Sequence, residues 1–190
     1  MRIITGTARG AVLNTLEGEA TRPTPAKVKE ALFSSIQFDI EGRKVLDLFA
    51  GSGQLGLEAL SRGAEKATFV DGAREATAII TANAQKTHLY KQSNVLCMDW
   101  KQYIQSAKGR NRFDIVFLDP PYALRLLPKV TAALYDADML SDGALVICED
   151  EEGGLEEDVM VKARYDLVKA SRYGRVHITI LTPKTEDEEA

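Results

Sequence analysis

Four consecutive residues, Asp119-Pro120-Pro121-Tyr122, close the apolar run FDIVFL. An exocyclic amine on a nucleobase is a poor nucleophile, because its lone pair is delocalised into the ring. Hydrogen bonds from its two N–H groups to the Asp119 carboxylate and the Pro120 carbonyl would localise that pair. Prolines fix the carbonyl direction, since the ring locks φ near about −65°. Tyr122 offers a flat ring on which an extruded base can stack, a contact worth about 1–3 kcal/mol. The competing reading of Asp119 to Tyr122 is a Pro-Pro stop after a strand, with Tyr122 anchoring a loop.

A second chemical group lies upstream. GSGQLG, residues 51–56, follows the apolar run KVLDLFA and enters a helical stretch. Glycines there allow a tight turn and close backbone approach to a ligand, with a helix N-terminus facing it. Asp71 ends the next apolar run, placed to hold two ribose hydroxyls. The pattern fits a nicotinamide dinucleotide or S-adenosylmethionine (SAM) nearly equally, or else only a tight strand–helix turn. Two details favour SAM. Asp47 sits four residues before Gly51, where a carboxylate suits the ammonium of a methionine moiety and would repel a pyrophosphate. It could instead cap amides of its own loop. A third run ends in Cys97-Met98-Asp99, where Asp99 can accept from an adenine amino group, cap the helix starting at Trp100, or both.

The elements that must carry these groups follow from periodicity. From Lys44 onward, β-rich runs at 44–50, 66–71, 93–99, 113–119, 144–150, 165–171 and 175–181 alternate with helical stretches. The helices are Gln54–Arg62, Ala73–Lys86, Trp100–Ala107, about Pro128–Tyr135 and Leu155–Lys162. Several runs are continuously apolar, as in a parallel sheet covered on both faces. Repeated βαβ units predict an α/β, doubly wound sheet. In such sheets ligands bind beyond the strand C-termini, which brings the Asp119 tetrapeptide beside the glycine turn. Arg172–Gly174 is too short for a crossover, so the last two strands form an antiparallel hairpin. Before Lys44, MRIIT and AVLNT flank a hairpin turn. A helix then begins with Thr24 as N-cap and Pro25 as its first residue, with Val28, Leu32 and Ile36 on one face. The expected organisation is an N-terminal hairpin-and-helix appendage (1–40), a catalytic domain (41–183) and a disordered acidic tail (184–190).

Composition sets outer limits. With 190 residues, 45% hydrophobic and 27% charged, the chain reads as one globular domain with a small appendage. No apolar run approaches the length of a membrane span, and the N-terminus lacks a signal peptide's apolar stretch. A soluble cytoplasmic protein is expected, and a monomer, because no long exposed apolar helix face is evident. Cys97 and Cys148 read as small buried hydrophobes in a reducing compartment. His88 and His177 have no Cys or His nearby, so no metal is expected. The net charge of −4 is unevenly spread: EDEEGGLEED at 149–158 holds seven acids and no base, and the tail is acidic too. The first 29 residues hold five bases, Arg2, Arg9, Arg22, Lys27 and Lys29, against two acids. These bases are the candidate contacts to a polyanion.

MRIITG at the start, TRPT at 21–24, VKEALF at 28–33, VLDLFAGSGQLGLEALSRGA at 45–64, FDIVFLDPPY at 113–122 and RYG at 172–174 together resemble the RsmD-type family of bacterial 16S rRNA guanine-N2 methyltransferases. DPPY and the glycine turn recur across amino-methyltransferases; TRPT with SRGA is more specific. The resemblance implies a seven-stranded Rossmann-like fold, SAM as donor with S-adenosylhomocysteine (SAH) as product, and a guanine of small-subunit rRNA, free or in an assembly particle, as target. The implied donor set is Asp47, Phe49, Ala50, Gly51, Gly53, Asp71, Gly72, Met98, Asp99 and Asp119. Asp119, Pro120, Pro121 and Tyr122 would hold the base, and Arg22 and Thr24 would lie near the mouth of the site. The chain departs from the family in ending its second strand with Asp71 where many members carry Glu, and in its acidity at 149–158. Three other readings stay open: an N6-adenine methyltransferase on DNA or RNA, a nicotinamide-dependent oxidoreductase, and a non-catalytic RNA-binding or assembly protein that keeps a SAM pocket.

Overall fold

The computed structural model describes residues 1–16, 25–121 and 124–185. The expectations for Arg22, Thr24, Tyr122 and 186–190 therefore lie outside the described residues. Seven strands form one sheet: β1 (Lys44–Leu48), β2 (Lys66–Asp71), β3 (Ser93–Cys97), β4 (Phe113–Leu118), β5 (Leu140–Asp150), β6 (Tyr165–Tyr173) and β7 (Val176–Pro183). Their order is β3-β2-β1-β4-β5-β7-β6. The chain divides into two compact units, Met1–Tyr103 and a second beginning at Ile104.

In the first unit β1 pairs with β2, and β2 with β3, all parallel. Val45, Leu46 and Leu48 are fully enclosed, as are Ala67 and Phe69; continuous apolar runs are what a sheet covered on both faces requires. The covering helices are α2 (Gln54–Ser61) and α3 (Arg74–Lys86), while α1 (Ala26–Ser35) meets α2 through the Lys29–Glu58 pair. Val28, Leu32 and Ile36 are buried, as their spacing predicts. Pro25 is not the first helical residue: it takes the N-cap position, ψ 141°, and its carbonyl accepts from the Val28 and Lys29 N–H groups. A proline at that point has no N–H to lose while its carbonyl opens the helical ladder. The N-terminal hairpin exists, with one antiparallel bridge, Arg2 to Val12, and flanking bonds from Ile3 N–H to Ala11 C=O and Leu13 N–H to Met1 C=O. Cys97 is exposed rather than buried, because β3 ends the sheet and leaves one side uncovered.

In the second unit β4 and β5 are parallel, while β7 lies antiparallel between β5 and β6. The closing hairpin is as expected; β5 is longer than expected. The expected run began at 144, yet Leu140 already pairs with Phe113, and Gly143 (φ +69°) lets the strand bulge before Leu145 meets Ile115. The helix expected over Leu155–Lys162 breaks into a 3₁₀ turn, Leu155–Glu157, and a short α6, Val159–Lys162. Asp158 causes the break: its side chain accepts from the Met160 and Val161 N–H groups, so the α-helix starts afresh behind it. The remaining helices are α4 (Trp100–Ala107), which leads from the first unit into the second, and α5 (Leu127–Asp136). Lys184, assigned to the tail, is still tied down by its N–H to Arg164 C=O and by Tyr135 OH to its own carbonyl. No helix among the described residues is long and apolar enough to cross a membrane.

Candidate active site

The glycine turn joins β1 to α2, and its three glycines have three different reasons. Gly51 (φ +55°) would carry a Cβ into open space, so its role is conformational. Gly53, φ +76°, sits at the N-cap of α2, and its N–H donates to Ala50 C=O at 2.7 Å. A Cβ on Gly56 would come within 2.3 Å of Phe69 Cε1, so this glycine lets α2 press onto β2. Phe49 also adopts φ +73°, a conformation that costs a non-glycine residue energy and concentrates at ligand sites.

Asp47 lies beneath this turn. It is 3% exposed, and its Oδ2 accepts from Gly56 N–H at 2.9 Å. Burial pushes its carboxyl up to about 7, the Gly56 bond works against that rise, and the negative charge of Asp71 adds to it. Beside it in the first turn of α2, the buried Gln54 keeps an Oε1 with no hydrogen-bond partner among the described residues. An enclosed carboxylate and a buried acceptor lacking a donor fit a cationic ammonium and oppose a pyrophosphate. The loop-capping reading of Asp47 is correct, since its Oδ2 holds the Gly56 N–H.

Asp71, at the end of β2, accepts from Gly51 N–H at Oδ2 and from Ala73 N–H at Oδ1, both at 2.9 Å. Each carboxylate oxygen has a second lone pair, so the acid is oriented by the turn and retains acceptor capacity toward a diol. Gly72 is exposed and Met98 half-buried beside it, with Met98 N–H donating to Asp71 C=O. Asp99 caps α4 through Lys101 N–H at 2.8 Å. Sequence reasoning passed over Trp100, whose ring centroid lies 6.4 Å from that of Phe49; its place directly after Asp99 was the available signal.

In the second unit, Asp119 and Pro120 follow the last residue of β4. Asp119 is half-buried, Pro120 buried and Pro121 exposed. The Pro121 carbonyl accepts from Leu124 N–H at 3.1 Å. Arg125, with φ +43°, then turns the chain toward α5 and pairs with Glu152 at 3.0 Å. Part of the acidic stretch is thereby neutralised next to the loop that follows the tetrapeptide.

The basic residues divide. Arg2, Arg9 and Lys27 are exposed. Lys29 is not available to phosphate: it is 2% exposed, donates to Arg2 C=O at 2.7 Å and pairs with Glu58 at 3.2 Å. Its position on the apolar stripe beside Val28 and Leu32 puts it inward, and a buried ammonium requires a partner. Glu58, fully enclosed in α2, also accepts from the Ile4 and Thr5 N–H groups and pairs with Arg62. Ser61 completes the attachment by donating to Thr5 C=O and accepting from Ala8 N–H. Glu58 and Ser61, the latter opening the SRGA run, thus form the clasp for the N-terminal hairpin.

Sheet order, glycine turn and buried acid define a Rossmann-like class I methyltransferase. A family model described as "Conserved hypothetical protein 95" matches residues 1–182. The chain belongs to this family, that of the RsmD-type methyltransferases. It is similar to "Putative rRNA methyltransferase YlbH" of Bacillus subtilis, 38% identical over 84% of this chain and 88% of that one. It is also similar to "Ribosomal RNA small subunit methyltransferase D" of Haemophilus influenzae, 33% identical over 93% and 90%. The solved structure "Putative methyltransferase yhhF from Escherichia coli" superposes with TM-score 0.84 at 32% identity, covering 98% of this chain and 99% of that chain.

Proposed function

We propose that this protein methylates the exocyclic N2 amine of a guanine in small-subunit rRNA, with SAM as donor. The observation that carries the donor assignment is the enclosed Asp47 beneath the glycine turn, with the Gln54 acceptor beside it. A nicotinamide dinucleotide would set its pyrophosphate against that acid. The substrate class is supported by the small-subunit rRNA methyltransferase of Haemophilus influenzae, and the guanine by the TRPT and SRGA resemblance. When bound, SAM supplies a methyl group activated by a sulfonium.

The chain's own residues do the rest. Asp47 and Gln54 hold the ammonium, Asp71 holds the ribose, and Asp99 accepts from the adenine amine while capping α4. Asp119 and the Pro120 carbonyl take the two N–H groups of the target amine and aim its lone pair, so their contribution is positioning and stabilisation of the charge that develops on nitrogen. Asp119 need not be a strong base, because a methylated, positively charged amine sheds its proton readily. Arg2, Arg9 and Lys27 supply phosphate contacts.

The test incubates the protein and labelled SAM with small-subunit particles lacking methylation, then digests the rRNA to nucleosides. Label in N2-methylguanosine is expected. Label in N6-methyladenosine would replace guanine by the adenine reading, and no label in a sample that binds SAH would refute catalysis on this substrate. Asp119→Ala is expected to abolish transfer while leaving SAH affinity within a few-fold; near-normal turnover would remove Asp119 from its role.

A further inference from the structure

Asn83 is completely enclosed within α3, and its side-chain amide bonds two segments outside that helix. Its Oδ1 accepts from Asn14 N–H at 2.8 Å; its Nδ2 donates to Asn14 C=O and to Ser52 C=O, both at 3.0 Å. Asn14 is the exit of the N-terminal hairpin. Ser52 stands between Gly51 and Gly53, both with positive φ. A second thread joins the same places: the Ser52 hydroxyl donates to Met1 Sδ at 3.4 Å, and Leu13 N–H donates to Met1 C=O at 3.0 Å.

Besides the Lys29 bond to Arg2 C=O, the hairpin is therefore fastened at two further places, in two different ways. At Glu58 and Ser61 it is held to the body and C-terminal end of α2, away from the turn. At Asn83 it is held to the turn itself. A planar amide with one nitrogen shared between two carbonyls cannot follow one partner without straining its bond to the other. A displacement of Ser52 is thus passed directly to Asn14.

We propose that Asn83 is a positioning residue that couples occupancy of the glycine turn to the ordering of the hairpin exit at Asn14, and thereby couples the donor to RNA engagement. The inference rests on the reading that this turn holds SAM. Linkage makes the coupling reciprocal: whatever SAH does for the hairpin, RNA docked on the hairpin does for SAH, within a range of about 5–150-fold.

The experiment uses the whole protein and SAH. Calorimetry measures binding, and NMR-detected amide hydrogen exchange is followed at Asn14, Ile4 and Thr5 with and without saturating SAH. Ile4 and Thr5 report the Glu58 attachment and serve as internal controls. The expected result is that SAH slows Asn14 exchange about tenfold more than it slows Ile4 or Thr5. Asn83→Ala is expected to erase that selectivity and weaken SAH about tenfold; the wild-type comparison decides the matter even where the variant does not fold. Equal slowing at all three amides in a protein that binds SAH overturns the coupling and leaves the function intact. Failure to bind SAH overturns both.

Discussion

The role proposed for Asp47 predicts that SAH binding depends on pH, in a direction that can be worked out. An unfolded aspartate titrates near about 3.9; in the folded protein burial pushes Asp47 up to about 7. The folded state holds the extra proton, so the stability this group contributes is complete below the unfolded value and is lost as pH rises toward 7. At about 1.4 kcal/mol per pH unit, the loss over that window is on the order of 4 kcal/mol. The ligand's ammonium requires the ionised acid, so below pH 7 binding must expel that proton. Affinity for SAH should weaken about tenfold per unit well below pH 7, to about 50-fold weaker at pH 5 than at pH 7 and about 100-fold weaker than on the plateau above. Titration calorimetry at pH 6 in two buffers of different ionisation enthalpy should report release of about 0.9 proton, falling to about 0.1 at pH 8. Asp47→Asn should flatten the profile and weaken SAH, and at pH 8 should stabilise the unliganded protein by about 2 kcal/mol, part of the relief being offset by a buried amide N–H without an acceptor. A flat dissociation constant from pH 5 to 8 with no buffer dependence, or an unchanged profile in Asp47→Asn, would refute the role of this acid.

Three further outcomes follow from the packing and charge. Glu58→Ala strands the buried Lys29 and two hairpin N–H groups, so urea denaturation should show a loss of about 3–5 kcal/mol. The double variant Glu58→Leu/Lys29→Met should lose less, and a loss equal to that of Glu58→Ala would contradict the stranded-charge account. Gly56→Ala drives a methyl into Phe69 and should cost about 1–3 kcal/mol by thermal melting, with partial recovery on adding Phe69→Leu; no recovery would mean the steric account is wrong. Arg9→Ala and Lys27→Ala should each lower the salt dependence of RNA binding by about one phosphate contact. Lys29→Met should leave that slope unchanged, and a reduced slope there would show that Lys29 is less enclosed than its ion pair implies.

Much of the sheet was legible because its strands are buried on both faces and announce themselves as unbroken apolar runs. The glycine turn was legible for a related reason: glycines at 51, 53 and 56 are the residue type that left-handed backbone and close helix–strand packing demand, and the acids at 47 and 71 lie against it, accepting from its Gly56 and Gly51 N–H groups. What stayed hidden depends on long-range partners. Lys29 looks like any surface base until Glu58, 29 positions away, is seen to share its enclosure. Asn83 carried a faint signal, a polar residue on the apolar stripe of Ala76, Ile80 and Ala84, but its partners at Asn14 and Ser52 come from distant parts of the chain. The strand order could not be read either, since nothing local in 176–183 says that it inserts between two earlier strands.

That insertion has a consequence for how the chain comes to be made. β7 is synthesised after both β5 and β6 and yet is the neighbour of each. While the ribosome adds Glu151 to Pro183, at about 5–20 residues per second, the β5 edge waits some seconds, about 2 to 7 s, with its ladder groups unpaired. β6 emerges before it has a strand to lie against. An uncovered, apolar strand edge is a template for the wrong partner, so a nascent chain stalled anywhere in this interval would be the form most exposed to misassembly and most in need of a chaperone.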